Sequence, residues 1–428
     1  MRRLLPALSP TGWGIVLAVM ILYGVGLASI CATEGGLGDA PFAGKQVLFL
    51  VISLTLFWGI VRTGFQRISG WTYVIGAGAL LLLVPPAVAR VLHTDFGGLV
   101  PNIRGAHRWI MLPGFRFQPS ELMKVIYILT LAWYLRYRRN YRTIGGLLLP
   151  LVGSAVPLFL ILLEPDLGTA LLMIPVLFAM LFLAGARVWH LLLLAGLAVV
   201  IAPLLWLQMR PYQRLRITSV LLQSDALRSD IHKNPQDYRF LDGNSQNLRR
   251  EARQWRNSSG MQLVRSKAAL GSGGVLGQGW GHGTYVEYNF LPDRHNDFVF
   301  ALIGHQWGLG GCLGVLGCYV VIVLAGMNIA LRTTDPVGRL LAAGVVTLIA
   351  CQVLINVGMC IGLMPVTGMT LPFVSYGGSS LLVNFMALGL LVSVGRHRPF
   401  MLAKPPFEFG DPAASFPPRP DRPATGRS

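Results

Sequence analysis

Charge is what this chain has least of. Of 428 residues only 13% are charged, about half the roughly 25% usual in a soluble globular protein. Only 18 of them are acidic, against 36 basic. With 53% hydrophobic residues and a mean hydropathy of +0.57, too little polar surface remains to cover a water-soluble particle of this size. Soluble enzyme classes drop out, and a polytopic membrane protein is indicated. Cysteine is scarce too: Cys31, Cys312, Cys318, Cys351 and Cys360 form no CxxC pair, and four of them lie in apolar stretches. That disfavours a disulfide framework and a zinc site. No Walker sequence occurs, and the glycine cluster at 271–283 never satisfies G-x-G-x-x-G. The net charge of +18 does not point to nucleic acid, because the basic residues sit mostly at the ends of apolar runs, where membrane proteins place arginine. The first apolar run, 12–32, is too long for a signal-peptide core and reads as a first span.

Ten apolar stretches are long enough to cross about 30 Å of hydrocarbon as helices. They cover 12–32, 46–63, 71–92, 119–136, 145–163, 167–185, 188–208, 298–331, 338–363 and 374–395, with Pro85–Pro86 expected to kink the third. The expected fold is an all-α integral membrane protein of about ten transmembrane helices. Arg2, Arg3, Arg62, Arg67, Arg136, Arg138, Arg139, Arg142, Arg187, Arg332, Arg339, Arg396 and Arg398 fall on one face if the N-terminus is cytoplasmic, so the topology is N-in, C-in. Short-loop cations on the other face are sparser: Lys45, Arg90, Arg104, Arg108 and Arg116.

The chain divides on this reading into a cytoplasmic N-terminus (1–11), a membrane domain (12–398) and a Pro-rich, disordered cytoplasmic tail (399–428). Two substantial loops lie outside, at 93–118 and 209–297. The second, between helices seven and eight, holds a polar insert at 224–260 whose Asp, Asn, Gln and Arg content reads as solvated or disordered.

Carboxylates near hydrocarbon are costly and usually retained for a purpose. Glu121 and Lys124 share one helix face at i,i+3, either as an ion pair fixing helix packing or as part of a site. Asp166, in the short turn after Glu164 and Pro165, has a structural explanation as the N-cap of span six. Asp297 closes the run FLPDRHND at the mouth of span eight. There it is either a helix cap or a carboxylate whose half-buried position raises its pKa toward general-base use. Asp293, Arg294 and His295 read as loop residues, and His282, near Trp280, as a packed loop histidine. The glycine cluster is a flexible hinge or a phosphate-cradling turn. Arg104, Arg108, Arg116, Arg214 and Arg216 suit bidentate phosphate pairing or lipid headgroups.

These segments resemble the SEDS family (shape, elongation, division and sporulation), which includes RodA and FtsW. The matching stretches are GAHRWIMLPGFRFQPSELMK at 105–124, EPDLGTALL at 164–172, YQRLR at 212–216, SKAALGSGGVLGQGWGHGT at 266–284, FLPDRHNDFVFALIG at 290–304 and LPFVSYGGSS at 371–380. RFQPSE, GWGHGT and the Arg of LPDRHNDF look closer to RodA than to FtsW. The resemblance implies a peptidoglycan glycosyltransferase that polymerises lipid II at the outer face of the cytoplasmic (inner) membrane, beside a class B penicillin-binding protein as transpeptidase. By the same resemblance Asp297 takes the place of the essential aspartate. The supporting, substrate-binding set comprises Glu121, Lys124, Arg108, Trp109, Arg116, Gln118, Ser120, Asp166, Arg214, Lys267 and His282. A divalent cation, Mg²⁺ or Mn²⁺, is a candidate for holding the pyrophosphate with Lys124 and the arginines.

Departures from the family pattern are Asn296 for Thr, His305 and Gln306 for a common acidic pair, and the longer, more polar insert. Two rival readings remain: a flippase for the lipid-linked precursor, which needs polar groups reachable from both faces, and a non-enzymatic scaffold for a transpeptidase.

Overall fold

A computed structural model describes residues 8–33, 41–103, 105–137, 143–209, 211–242, 245–258, 260–287 and 295–396. Each of the ten apolar stretches coincides with a helix. In chain order these are α1 (Pro10–Thr33), α2 (Pro41–Thr63), α3 (Thr72–Leu92), α4 (Pro119–Leu135), α5 (Ile144–Leu163), α6 (Leu167–Leu183), α7 (Val188–Gln208), α8 (Val299–Arg332), α9 (Pro336–Ile361) and α10 (Gly378–Arg396). Seven of them, α1, α2, α3, α5, α8, α9 and α10, are long and apolar enough to cross a membrane by themselves. α6 and α7 contribute shorter apolar lengths, and the 17-residue α4 carries Glu121 and Lys124. α3 remains one helix through Pro85 and Pro86.

Aliphatic and aromatic side chains fill the bundle interior, with Phe57, Phe298, Phe373 and Phe385 fully buried. α9 and α10 are the most enclosed of the seven long helices. α10 packs against α2, and α9 lies among α4, α6 and α8, while α1 lies along α8. The strongly apolar helices need no amphipathic stripe, because their outer faces meet hydrocarbon rather than water.

One helix is broken. Gly308 interrupts α8 with φ 62° and ψ −157°, a conformation that frees carbonyls from the helical ladder. The glycine cluster satisfies them: Gln278 N donates to His305 O at 2.9 Å, and Gly279 N to Gln306 O at 3.0 Å. Leu309 N in turn donates to Gly274 O at 2.9 Å. A β-carbon on Gly308 would lie 2.4 Å from Gly277 N, so the contact requires glycine. The cluster is therefore neither a loose hinge nor a phosphate cradle. It is a backbone splint on α8.

Two features depart from expectation or add to it. The 93–118 segment folds a small antiparallel hairpin, Ile110–Leu112 with Phe115–Phe117, turned at Gly114 with φ 79°. The insert is not disordered within its described residues: it forms helices at Asp225–Lys233, Arg239–Asp242 and Ser245–Gln254. Leu222, Ile231, Leu241, Leu248, Ala252, Trp255 and Leu263 give it a core of its own. Leu248, Ala252 and Trp255 recur at i, i+4, i+7, a helical stripe sparse enough to be hidden by the surrounding polar residues. The expected tail at 399–428 lies outside the described residues.

Candidate active site

A cavity of about 750 Å³ opens at the end of the bundle that carries the hairpin. Its walls come from the first turns of α2, the hairpin, the N-terminal turn of α4, the start of α6, the Asn296–Asp297 turn before α8, and 367–380 leading into α10. Four cations, Lys45, Arg108, Arg116 and Arg216, and three carboxylates, Glu121, Asp166 and Asp297, face it together with Trp109 and Gln118. Residues far apart in sequence thus meet in one polar chamber above an apolar bundle.

Asp166 is the hub of one wall. It caps α6, with Oδ1 accepting from Thr169 N at 3.2 Å. Its Oδ2 accepts from Ser120 Oγ at 2.8 Å, Thr169 Oγ1 at 2.9 Å and Gln118 Nε2 at 3.0 Å. The capping reading was right, but it covers only one of these four bonds. Burial alone would raise the Asp166 carboxyl. Arg108 and the hydrogen bonds from Ser120 and Thr169 outweigh it and hold the group below its ordinary value. Arg108 donates from Nε to Glu164 O at 3.1 Å and from Nη2 to Pro165 O, which locks the turn and leaves other guanidinium hydrogens for the cavity.

Glu164, in the turn between α5 and α6, behaves oppositely. Burial first, and the neighbouring Asp166 charge second, push its carboxyl up to about 9 against the pull of Arg108. Both its oxygens lack a hydrogen-bond partner among the described residues. At neutral pH it is an uncharged acid.

Glu121 and Lys124 form a close pair, Nζ to Oε1 2.9 Å, with the lysine almost wholly buried. Glu121 reaches the cavity wall and Lys124 does not. Ser379 Oγ accepts from Gln118 N at 3.2 Å and donates to Arg116 O at 2.9 Å, tying the hairpin's exit to the start of α10.

Asp297 is half-buried and lines the cavity. The N-cap position of α8 falls one residue later, at Phe298, whose side chain makes no capping hydrogen bond. The main-chain carbonyl of Asp297 accepts from Asn356 Nδ2 at 3.0 Å. His295 lies beside α1 and α2, its Nδ1 3.2 Å from Thr33 Oγ1 and its ring near Phe42. Asp293, Arg294 and Arg104 fall outside the described residues.

Of the expected supporting set, Ser120 and Lys124 are buried and do not line the cavity, so the expected lysine contact to pyrophosphate is not met, and three further residues stand elsewhere. Arg214 donates to Leu207 O at 2.6 Å, while Arg216 takes the cavity-facing place. Lys267 donates to Gln223 Oε1 at 3.1 Å. His282 is exposed on the glycine splint and is not part of the cavity wall. Conversely, Lys45, Tyr376, Ser379 and Ser380 line the cavity, though the sequence assigned none of them to a site. A lysine near the start of an otherwise apolar helix was the available signal for Lys45. Among the described residues no group of three or more His, Cys, Asp or Glu gathers closely enough to hold a metal ion without help from substrate oxygens. Glu121 and Asp166 are already engaged by protein donors.

A multi-pass helical bundle with a polar chamber of facing carboxylates and guanidiniums at one end defines the class. Within it, this chain belongs to the FtsW/RodA/SpoVE family of cell cycle proteins, which it matches over residues 12–399. It is 33% identical over 399 residues to a probable peptidoglycan glycosyltransferase FtsW of Geobacter metallireducens, covering 91% of this chain and 93% of that protein. It is 32% identical over 403 residues to the peptidoglycan glycosyltransferase MrdB of Escherichia coli K12, covering 93% and 95%. Among solved structures it resembles a chain from work on the structural coordination of polymerization and crosslinking by a peptidoglycan synthase complex, with a TM-score of 0.70, 28% identity and coverage of 91% and 98%. It also resembles the rod shape determining protein RodA of Thermus thermophilus, with a TM-score of 0.62, 26% identity and coverage of 91% and 97%. The near-equal identities to FtsW and MrdB do not separate the two branches.

Proposed function

We propose that this protein is a peptidoglycan glycosyltransferase that polymerises lipid II into glycan strands at the outer face of the cytoplasmic membrane. The observation that carries the reading is Asp297, a carboxylate on the cavity wall, one residue before the N-cap of α8, that shares the chamber with Arg108, Arg116 and Arg216. The names of the relatives support it. The 4-hydroxyl of the acceptor's N-acetylglucosamine attacks the anomeric carbon of the donor. The new C1–O4 bond forms as the C1–O bond to phosphate breaks, and its electron pair leaves with undecaprenyl pyrophosphate. Asp297 takes the hydroxyl proton, and the arginines stabilise the charge developing on the pyrophosphate. The Asp166 hub keeps Arg108, Gln118 and Ser120 in place.

Arginine-bearing turns at Arg62, Arg136, Arg187, Arg332 and Arg396 sit at helix ends and make the opposite face cytoplasmic under the positive-inside rule. The cavity then faces outward, with the isoprenoid tails between spans in the bilayer and the sugars in the chamber. The 209–297 region and the hairpin offer an outer surface to a class B penicillin-binding protein. The deciding experiment is reconstitution of the purified protein in vesicles with fluorescent lipid II, with and without the transpeptidase. Glycan ladders on a gel are the expected result. Movement of lipid II across the bilayer without polymer would favour a flippase, and neither activity would favour a scaffold.

A further inference from the structure

Three buried polar side chains follow one another along a single face of α9: Gln352, Asn356 and Cys360, at i, i+4 and i+8. Polar groups inside an apolar helix are destabilising unless they find partners. These find backbone carbonyls outside any helix. Gln352 Nε2 donates to Thr370 O at 3.0 Å. Asn356 Nδ2 donates to Met369 O at 2.6 Å and to Asp297 O at 3.0 Å. Cys360 Sγ lies 3.9 Å from the same Asp297 oxygen. Both partners of Asn356 are carbonyl oxygens, which only accept, so its amide nitrogen must be the atom that faces them.

The geometry is economical. One NH₂ group, with its two hydrogens, joins two walls of the cavity: the turn that carries Asp297 and the irregular segment 367–370. Those walls touch at the reacting end, since a β-carbon on Gly368 would stand 3.5 Å from Asp297 Oδ2. Irregular backbone enclosed by membrane helices needs such donors, because no water is present to supply them.

We propose that Asn356 is a positioning residue, which through its double donation sets the Asp297 carboxylate against the 367–370 segment. The inference rests on the proposed role of Asp297. A leucine keeps the branched skeleton but lacks both donors, leaves Met369 O unsatisfied and Asp297 O with only the Cys360 thiol, and lets the two walls part. A displacement of the order of 1 Å lowers kcat by about 10²-fold.

Two measurements on the full-length protein test it. In Asn356→Leu, kcat for lipid II polymerisation falls by about 10²-fold while KM stays near the wild-type value, and Asn356→Ser, which keeps one donor, recovers part of the loss. Amide hydrogen exchange without substrate quickens at 297–300 and 367–371 in the Leu variant and is unchanged in α2 and α5. Wild-type exchange at those segments, unchanged kcat, or a raised KM with unchanged kcat would each overturn the proposal. If Asn356→Leu does not fold, the same readings are taken on Asn356→Ser. Because exchange is read without turnover, wild-type protein inert toward lipid II would sink the proposed function alone and leave the clamp to be judged by exchange.

Discussion

Lys124 holds Glu121 from behind the cavity wall, with Nζ 2.9 Å from Oε1, so the carboxylate alone reaches the chamber. Removing one member of a buried pair strands the other, at about 3–5 kcal/mol. Lys124→Met is therefore expected to lower the melting temperature and abolish polymerisation. The double variant Glu121→Gln, Lys124→Met should regain stability without regaining activity. Thermal unfolding followed by tryptophan fluorescence, beside a polymerisation assay, separates the two effects. Recovery of activity in the double variant would reduce the pair to packing.

Asp297→Asn keeps the side chain's size but removes the base. Since Phe298 occupies the cap position of α8, stability should barely change. Polymerisation should fall by about 10²–10⁴-fold, the usual contribution of a general base. Asp297→Glu should recover little, because the added methylene moves the carboxylate about 1 Å. An active Asn variant would return the question to flipping or scaffolding.

Glu164 couples stability to pH. Its folded value, about 9, lies above the ordinary 4.5, so between those limits the folded state binds more protons than the unfolded one. Stability contributed by the neutral acid is full below about 4.5 and is lost as pH rises toward about 9. Wild-type melting temperature should decline across that window, and Glu164→Gln should flatten the decline. A variant whose slope matches wild type would show that another group sets it.

Trp255 anchors the insert, its Nε1 donating to Ser219 O at 3.1 Å. Trp255→Ala should cost about 3–5 kcal/mol locally. Limited proteolysis should then cut within 224–260 while the ten-helix bundle melts as before. Coincident loss of the bundle would make the insert part of the membrane core.

Orientation is open to a direct check. A cysteine at Gln246 should react with an impermeant thiol reagent from outside the cell, and one at Ala414 only after the membrane is opened. Reversed labelling would sink both the outward cavity and the enzyme reading.

The helices were legible because each is a long apolar run with little to confuse it, and Asp166 as a cap followed from its place after a Pro-containing turn. Less visible was whatever depended on distant segments meeting. Nothing local to Lys45 or Ser379 announces that they share a chamber with Asp297. Nothing near Lys267 or His282 shows that they point elsewhere. The insert was misread because Leu248, Ala252 and Trp255 are few among charged neighbours, and their common face appears only once the helix is built. Gly308 looked like one more glycine in an apolar run until its φ placed a break there.

That break divides α8 into a long membrane rod and a stub of about two and a half turns. The stub starts beside Asp297 and ends on carbonyls stitched to Gln278 and Gly279. A continuous helix would absorb a push at its flank by bending along its length. The break confines the stub instead to one short piece, which carries the Asp297 turn at one end and the glycine splint at the other.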